Sequence, residues 1–112
     1  MNLKKNLEYS YSIKQEETFK NDLKNIYKYI AYDLSEKRAA IKFVNTVISK
    51  LKNLQVFPYA YKLYKKEENF EYRKLIVKNY IIIYKINLKE KEIFILHIYN
   101  QKVNYHKKSI LL

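Results

Sequence analysis

Arg73 has the side chain best suited to binding a phosphate group. Only Arg38 and Arg73 are arginines among the 23 basic residues of the chain, whose other cations are all lysines. A planar guanidinium presents paired donors that match a phosphate more closely than an ammonium does. Arg73 lies in a predicted strand, and exposed polar side chains at such positions often belong to functional sites. We therefore take Arg73 as a candidate phosphate ligand, the alternative being an arginine that pairs with Glu71.

His97 is the candidate for acid–base chemistry. A histidine has an ordinary pKa of about 6.5, which suits proton transfer near neutral pH. Alternation along residues 93–98 puts His97 on the face of Ile93 and Ile95, which favours a hydrogen-bonded structural histidine over a catalytic one. The only other histidine is His106, no pair has the spacing of metal ligands, and the chain has no cysteine. We therefore expect neither a metal site nor a cofactor, and disulfides are excluded.

The balance of charge indicates a polyanionic partner. Lysine and arginine number 23 against 11 acidic residues, which gives a formal net charge of +12. Such a charge attracts nucleic acid, the ribosome or an acidic protein, although a lysine-rich, glycine-free composition could also reflect coding bias. The basic N-terminus lacks the apolar segment of a signal peptide, and the apolar stretch at residues 80–84 is too short to span a bilayer. We therefore expect a cytoplasmic protein without membrane contact.

The N-terminal half is predicted to form a strand and two helices. Residues 9–13 alternate large and small side chains, as in a half-buried strand. Glu16 and Glu17 then precede a helix whose apolar positions recur at steps of three and four. That helix ends at residues 33–36, where Ser35 is predicted to be the N-cap of the second helix. The second helix has one apolar face, and its other face carries lysine, arginine and asparagine.

The C-terminal half is predicted to form a sheet. Residues 61–69 are polar and rich in charge, which is typical of a loop. Strands are predicted over residues 70–77, 79–86 and 92–98, and their short links favour antiparallel pairing. The order is β-α-α-β-β-β. We therefore expect a single α+β domain over residues 1–112, with two antiparallel N-terminal helices packed on a twisted antiparallel sheet.

Four segments occur together in the order and spacing of a known superfamily. Residues 22–30 carry the start of a first amphipathic helix, Ala39-Ala40 with Phe43 begins a second, and residues 95–99 form a last apolar strand. The most specific segment is the hairpin at residues 72–84, which is similar to the pattern YR.L…NY.I.Y.V in one-letter code. Through these segments the chain resembles the RelE/ParE superfamily, the toxins of type II toxin–antitoxin systems.

The resemblance implies one of two activities. RelE-like members are ribosome-dependent endoribonucleases that cleave mRNA in the decoding site without a metal ion. ParE-like members inhibit DNA gyrase and need no hydrolytic residues of their own. Members of both groups are neutralised by an antitoxin, here expected to be acidic, in a toxin–antitoxin hetero-oligomer.

The resemblance also suggests residues that would cleave RNA. Lys74 occupies a position that resembles a catalytic lysine of the RelE-like enzymes. Lys102 aligns approximately with an arginine that serves there as acid or phosphate clamp, and Tyr105 could stack on a base at the same edge. Two departures count against cleavage by that scheme. Asn100 stands where some nucleases have a histidine, and Ile81 stands where they have an arginine.

We predict mRNA cleavage with a slight preference over gyrase inhibition. Arg73, Lys102 and Tyr105 could together form a phosphate site, whereas the missing histidine and arginine favour the gyrase alternative. Two further hypotheses lie outside these activities. One is a basic nucleic-acid-binding domain without catalysis, and the other is a decayed toxin that keeps only the fold and antitoxin binding.

Tyrosines outside the core could supply stacking surfaces for bases. Tyr61 and Tyr64 lie in the predicted loop and Tyr59 lies just before it, and these three are the candidates for such contacts. Tyr80 and Tyr84 share a strand face with an isoleucine, so we expect them to pack in the core instead.

Overall fold

The computed structural model describes residues 11–102. Two α-helices lie between a first short strand and four later strands, and the first α-helix runs on into a π-helical turn, Tyr29–Asp33. The elements in chain order are β1 Ser12–Gln15, α1 Glu17–Lys28, α2 Lys37–Leu54, β2 Lys62–Lys66, β3 Phe70–Val77, β4 Tyr80–Asn87 and β5 Glu92–Asn100.

The strands form one sheet in the order β1-β5-β4-β3-β2. The helices pack on this sheet, which confirms the predicted α+β class. The first strand, predicted over residues 9–13, is Ser12–Gln15 in the structure, and residues 9 and 10 lie outside the described part of the chain. Two further details of the sheet differ from the prediction. Strand β2 lies within residues 61–69, which were predicted to be a loop, and β1 pairs with β5 in parallel, so the sheet is mixed. A lysine-rich strand is tolerated at a sheet edge because its lysine side chains remain in water. The same polar composition is typical of a loop, which is why the strand was not predicted from the sequence.

The link between the two helical segments is tight and uses a left-handed residue. Leu34 donates its backbone N–H to the carbonyl of Tyr29, and Glu36 donates to that of Ile30, both at 3.0 Å. Ser35 between them has a φ of 54°. Glu36, not Ser35, is the N-cap of α2, and it makes no side-chain capping bond. The predicted capping role of Ser35 is therefore wrong, because its backbone is needed to turn the chain.

The main core lies between the helices and one face of the sheet. Its buried residues come from both helices and from β3, β4 and β5: Phe19, Phe43, Val47, Leu51, Leu54, Leu75, Val77, Ile82, Tyr84, Ile86, Ile93, Ile95 and Ile98. Tyr84 is 0% exposed, and its hydroxyl donates to the carbonyl of Pro58 at 2.8 Å. Tyr80 packs against this core, so both tyrosines lie where they were predicted. Within residues 11–102 no helix is long and apolar enough to cross a membrane.

A bulge in β5 reverses the alternation of its side chains. Ile95 pairs with Tyr84 and His97 with Ile83, which leaves Leu96 as an extra residue. Ile98 consequently joins Ile95 in the core beside the helices, although the two are three residues apart. The prediction that His97 shares a face with Ile95 assumed strict alternation, and the bulge makes it wrong.

Candidate functional site

Arg73 lies on the helix-facing side of β3 and is bound by its own chain. It pairs across the sheet with Tyr84, a core residue. Its Nη2 and Nε both donate to Oε1 of Glu71, at 2.7 and 3.2 Å, and the two side chains are only 13% and 12% exposed. The pairing with Glu71 that the sequence left open is therefore present.

The remaining contacts of Arg73 hold the segment that leaves α2. Nη1 donates to the carbonyls of Tyr59 and Tyr61, at 3.2 and 2.6 Å. The guanidinium carbon also lies 5.2 Å from the centre of the Tyr59 ring. The hydroxyls of Tyr59 and Tyr11 are hydrogen-bonded at 3.0 Å, which extends the contact towards β1. Arg73 thus joins β3 to the chain between α2 and β2.

Lys74 points to the opposite face of the sheet from Arg73, because successive strand residues alternate in direction. It pairs with Lys62 on β2 and with Ile83 on β4. Its ammonium lies 4.7 Å from the centre of the Tyr64 ring, within the range of a cation–π contact. The structure therefore does not bring Arg73 and Lys74 into one site.

A second apolar cluster lies on the Lys74 side of the sheet. Ile81, Ile83 and Tyr99 are its buried members, and Tyr64 and Leu96 pack against them. The Tyr64 hydroxyl is buried and has no hydrogen-bond partner within residues 11–102. Burial, with the neighbouring Tyr99, raises the pKa of Tyr64 to about 12. This phenol therefore stays protonated near neutral pH and cannot act there as a base.

Five residues form a row across the Lys74 side of the sheet, one on each strand. Lysines and aromatic residues alternate along this row: Lys65, Tyr72, Lys85, Phe94 and Lys14. The Lys65 ammonium lies 5.2 Å from the centre of the Tyr72 ring, and that of Lys85 lies 5.4 Å from the Phe94 ring. We call these five residues the cross-strand row. Sequence reasoning missed it because the five residues are neighbours only once the strand register is known.

The structure describes Lys102 but not Tyr105. Lys102 is exposed in the turn after β5, where its backbone N–H donates to Oδ1 of Asn100 at 2.8 Å. Tyr105 lies outside the described residues. The predicted phosphate site of Arg73, Lys102 and Tyr105 can therefore be compared only for its first two members, and Arg73 is turned towards the helices.

His97 lies beside an acidic side chain of α1. Its Nδ1 is 3.4 Å from Oδ2 of Asp22, and the same oxygen accepts the backbone N–H of Ile98 at 3.3 Å. Thr18 donates its hydroxyl to the carbonyl of Leu96 at 2.6 Å. Strand β1 pairs with β5 only as far as Ile95, so side chains of α1 satisfy the edge of β5 beyond it. Sequence reasoning did not identify Asp22 as the partner of His97, since 75 residues separate them.

Cleavage of RNA by its 2′-hydroxyl requires a base, a cation for the developing phosphorane and an acid at one place. Among the described candidates, Arg73 lies on the helix-facing side and Lys74 on the other side. His97 lies at the β5 edge against Asp22. Lys74 and His97 both pair with Ile83, so they lie on one face of the sheet with a strand between them, while Arg73 lies on the other face. The structure therefore does not bring Arg73 together with Lys74 and His97.

Comparison with solved structures gives chains of the same fold. The chain of a chromosomal ParDE system from P. aeruginosa aligns with a TM-score of 0.65 at 24% identity, over 82% of this chain and 97% of that one. The archaeal RelE–RelB complex from Pyrococcus horikoshii OT3 gives 0.50 at 17% identity, over 82% and 96%. The RelBE2 toxin–antitoxin complex from Mycobacterium tuberculosis gives 0.50 at 17% identity, over 81% and 98%.

Comparison with known sequences and family models identifies one family. No curated protein sequence gave a significant match. The model of one family matches residues 13–105, which include every strand and helix described above except the first residue of β1. That family is described as the ParE toxin of the type II toxin–antitoxin system parDE. The chain therefore belongs to the ParE toxin family, within the RelE/ParE superfamily of type II toxins.

Proposed function

We propose that this toxin stops growth by binding and inhibiting DNA gyrase, and that it does not cleave mRNA. The single observation that carries the proposal is the orientation of Arg73 and Lys74 towards opposite faces of β3. A phosphate bound by Lys74 would lie on the opposite side of the sheet from the Arg73 guanidinium. The preference for mRNA cleavage drawn from the sequence depended on Arg73, and we therefore give precedence to the gyrase alternative.

Inhibition by binding requires a surface and no proton transfer. The Lys74 side of the sheet supplies such a surface through the cross-strand row. Ile81, at the position where RelE-like enzymes were expected to carry an arginine, is 3% exposed and packs in the second apolar cluster. An apolar side chain cannot stabilise the charge of an RNA-cleavage transition state. Its presence at this position supports a surface that binds a partner protein.

The partner that neutralises the toxin is proposed to be a cognate acidic antitoxin. The solved chains of similar fold come from a ParDE system, a RelE–RelB complex and a RelBE2 toxin–antitoxin complex. A net charge of +12 favours rapid association with an acidic protein, because opposite charges steer the encounter. Inhibition of gyrase would take place in the cytoplasm, in keeping with the localisation expected from the sequence.

The proposal is tested by inducing the chain in cells and following DNA and mRNA in the same culture. We expect growth arrest and loss of plasmid supercoiling, while the 5′ ends of cellular mRNA remain unchanged. Co-expression of the acidic protein encoded beside the toxin gene should restore growth. Normal supercoiling together with codon-phased cuts in mRNA would refute the proposal.

Ribosome-dependent mRNA cleavage remains the second candidate, and one observation favours it. Lys74, the residue at the position that resembles a catalytic lysine, lies on the same sheet face as the cross-strand row. Lysines interleaved with aromatic rings are typical of surfaces that bind single-stranded RNA. The mapping of 5′ ends in the induced culture decides between the two candidates.

A further inference from the structure

We infer that the solvent-facing side of α2 binds the phosphate backbone of double-stranded DNA. The choice of DNA rests on the proposed function, since gyrase acts on DNA. The surface itself does not include Arg73, Lys74 or the cross-strand row. We call it the α2 basic face and define it by Arg38, Lys42, Asn45, Ser49, Lys50 and Asn53.

Charge is distributed unequally between the helices. Helix α2, Lys37–Leu54, contains five basic residues and no acidic residue. Helix α1 carries Glu17 and Asp22, and Glu17 pairs with Lys20 at 3.7 Å. Within residues 11–102 no ion pair involves a cation of α2. The positive charge of α2 is therefore uncompensated by the part of the chain that the structure describes.

Five of the six residues of the α2 basic face form one continuous stripe, and the half-buried Lys50 lies beside it. Arg38, Lys42, Asn45, Ser49 and Asn53 follow one another at steps of three and four, so they lie along one side of the helix. This side is opposite the buried side of α2 that packs in the core. The six residues line an open groove of about 540 Å³ together with Ile41 and Thr46. The stripe is about 22 Å long at 1.5 Å per residue. It can therefore follow several successive phosphates.

The composition of the stripe favours phosphate over a protein partner. Protein contacts to the DNA backbone come from arginine and lysine together with small hydroxyl and amide side chains, which is the composition of this face. Protein interfaces usually depend on a central aromatic or aliphatic anchor in a pocket. Ile41, 48% exposed, is the one exposed large apolar side chain on α2, and the other side chains that line the groove with it are all polar or charged. Duplex DNA fits the observed set better than an acidic polypeptide.

The test measures binding of the purified full chain to a fluorescein-labelled 20-base-pair duplex by anisotropy, over 50 to 200 mM NaCl. The variant to compare is R38A/K42A/K50A, because alanine preserves the helix. Each lost phosphate contact lowers the slope of log K against log salt by about 0.9. We expect the triple variant to lower the slope by about 2.7 and to weaken binding at 50 mM NaCl by about tenfold or more.

A matched control removes the same charge elsewhere. The variant K24A/K28A/K89A changes exposed lysines of α1 and of the β4–β5 turn. We expect its affinity to stay within about threefold of the unmodified chain, since non-contacting charges act only through the screened long-range field. Circular dichroism verifies that both triple variants are folded. Equal weakening by the two variants would overturn the inference, because net charge alone would then account for binding.

Other probes decide between partners. Single-stranded RNA or polyglutamate bound more tightly than the duplex, with the same loss in R38A/K42A/K50A, would overturn the choice of DNA. Gyrase inhibition by a chain that shows no α2-dependent DNA binding would refute this inference and leave the proposed function intact. DNA binding that depends on α2, without any effect on gyrase, would support the inference and refute the proposed function.

Discussion

Arg73 donates two hydrogen bonds to one oxygen of Glu71, at 2.7 and 3.2 Å, and both side chains lie on the helix-facing side of β3. Two residues apart on a strand, they share a face. The two side chains are only 13% and 12% exposed, so water could hardly solvate either charge if its partner were removed. The pair, with the two carbonyls that Arg73 also binds, attaches the chain after α2 to the sheet.

The first prediction is that Arg73→Ala lowers the free energy of unfolding by about 3 kcal/mol. Removing one member of a largely buried ion pair leaves the other charge without its partner, and here two backbone carbonyls also lose their donor. Urea denaturation of the purified variants measures the change. Glu71→Gln should lower stability in the same direction, and the double variant should show a coupling energy of at least about 1 kcal/mol. Stability equal to that of the unmodified chain, with toxicity abolished, would instead support a phosphate-binding Arg73.

The second prediction separates Lys74 from Arg73. Lys74→Ala should lower the free energy of unfolding by about 1 kcal/mol, which is the size of a cation–π contact at a partly exposed site such as the one with the Tyr64 ring. Growth arrest on induction should persist, because Lys74 is not a member of the cross-strand row and inhibition by binding needs no catalytic lysine. Loss of arrest in a folded Lys74→Ala variant, together with the disappearance of mRNA cuts seen in the unmodified chain, would identify a nuclease.

The third prediction concerns two buried tyrosine hydroxyls with different surroundings. Tyr64→Phe removes a buried hydroxyl that has no partner within the described residues, so stability should stay equal or rise by about 1 kcal/mol. Tyr84→Phe removes a hydroxyl that donates to the carbonyl of Pro58, so stability should fall by about 1 kcal/mol. Urea denaturation at pH 7 compares the two variants. Equal losses would show that the Tyr64 hydroxyl has a partner.

The fourth prediction is a loss of stability at alkaline pH. Burial raises the pKa of Tyr64 from 10.0 to about 12. A raised pKa contributes stability that is complete below pH 10 and is lost as the pH rises from 10 to 12, because only the unfolded chain then releases the proton readily. Unfolding free energies at pH 8, 10 and 11 should therefore fall more steeply for the unmodified chain than for Tyr64→Phe. Parallel curves for the two proteins would contradict a raised pKa at this residue.

The sequence was sufficient to predict both helices and three of the strands. Apolar residues at steps of three and four predicted α1 and α2, and the β-branched run that includes Ile81, Ile82 and Ile83 predicted β4. These features follow from local periodicity, which the chain expresses in consecutive residues. The family resemblance rested on the same segments, and it agreed with the match of the family over residues 13–105.

Features that depend on distant pairing could not be predicted. The lysine-rich β2 shows no apolar alternation, and the parallel pairing of β1 joins Ser12 to Glu92, 80 residues further along the chain. The bulge at Leu96 changes which side chains of β5 face the helices, although nothing in the sequence marks it. For the site, a sequence gives the identity of Arg73 but not the two carbonyls and the carboxylate that bind it.

Inhibition of gyrase can be measured in a supercoiling assay with purified gyrase, relaxed plasmid and purified toxin. We predict that the toxin abolishes supercoiling in proportion to its concentration, and that adding the cognate antitoxin restores it. Translating ribosomes incubated with the same toxin should retain intact mRNA. Full gyrase activity at saturating toxin, with mRNA cut on those ribosomes, would show that the toxin is a nuclease and not a gyrase inhibitor.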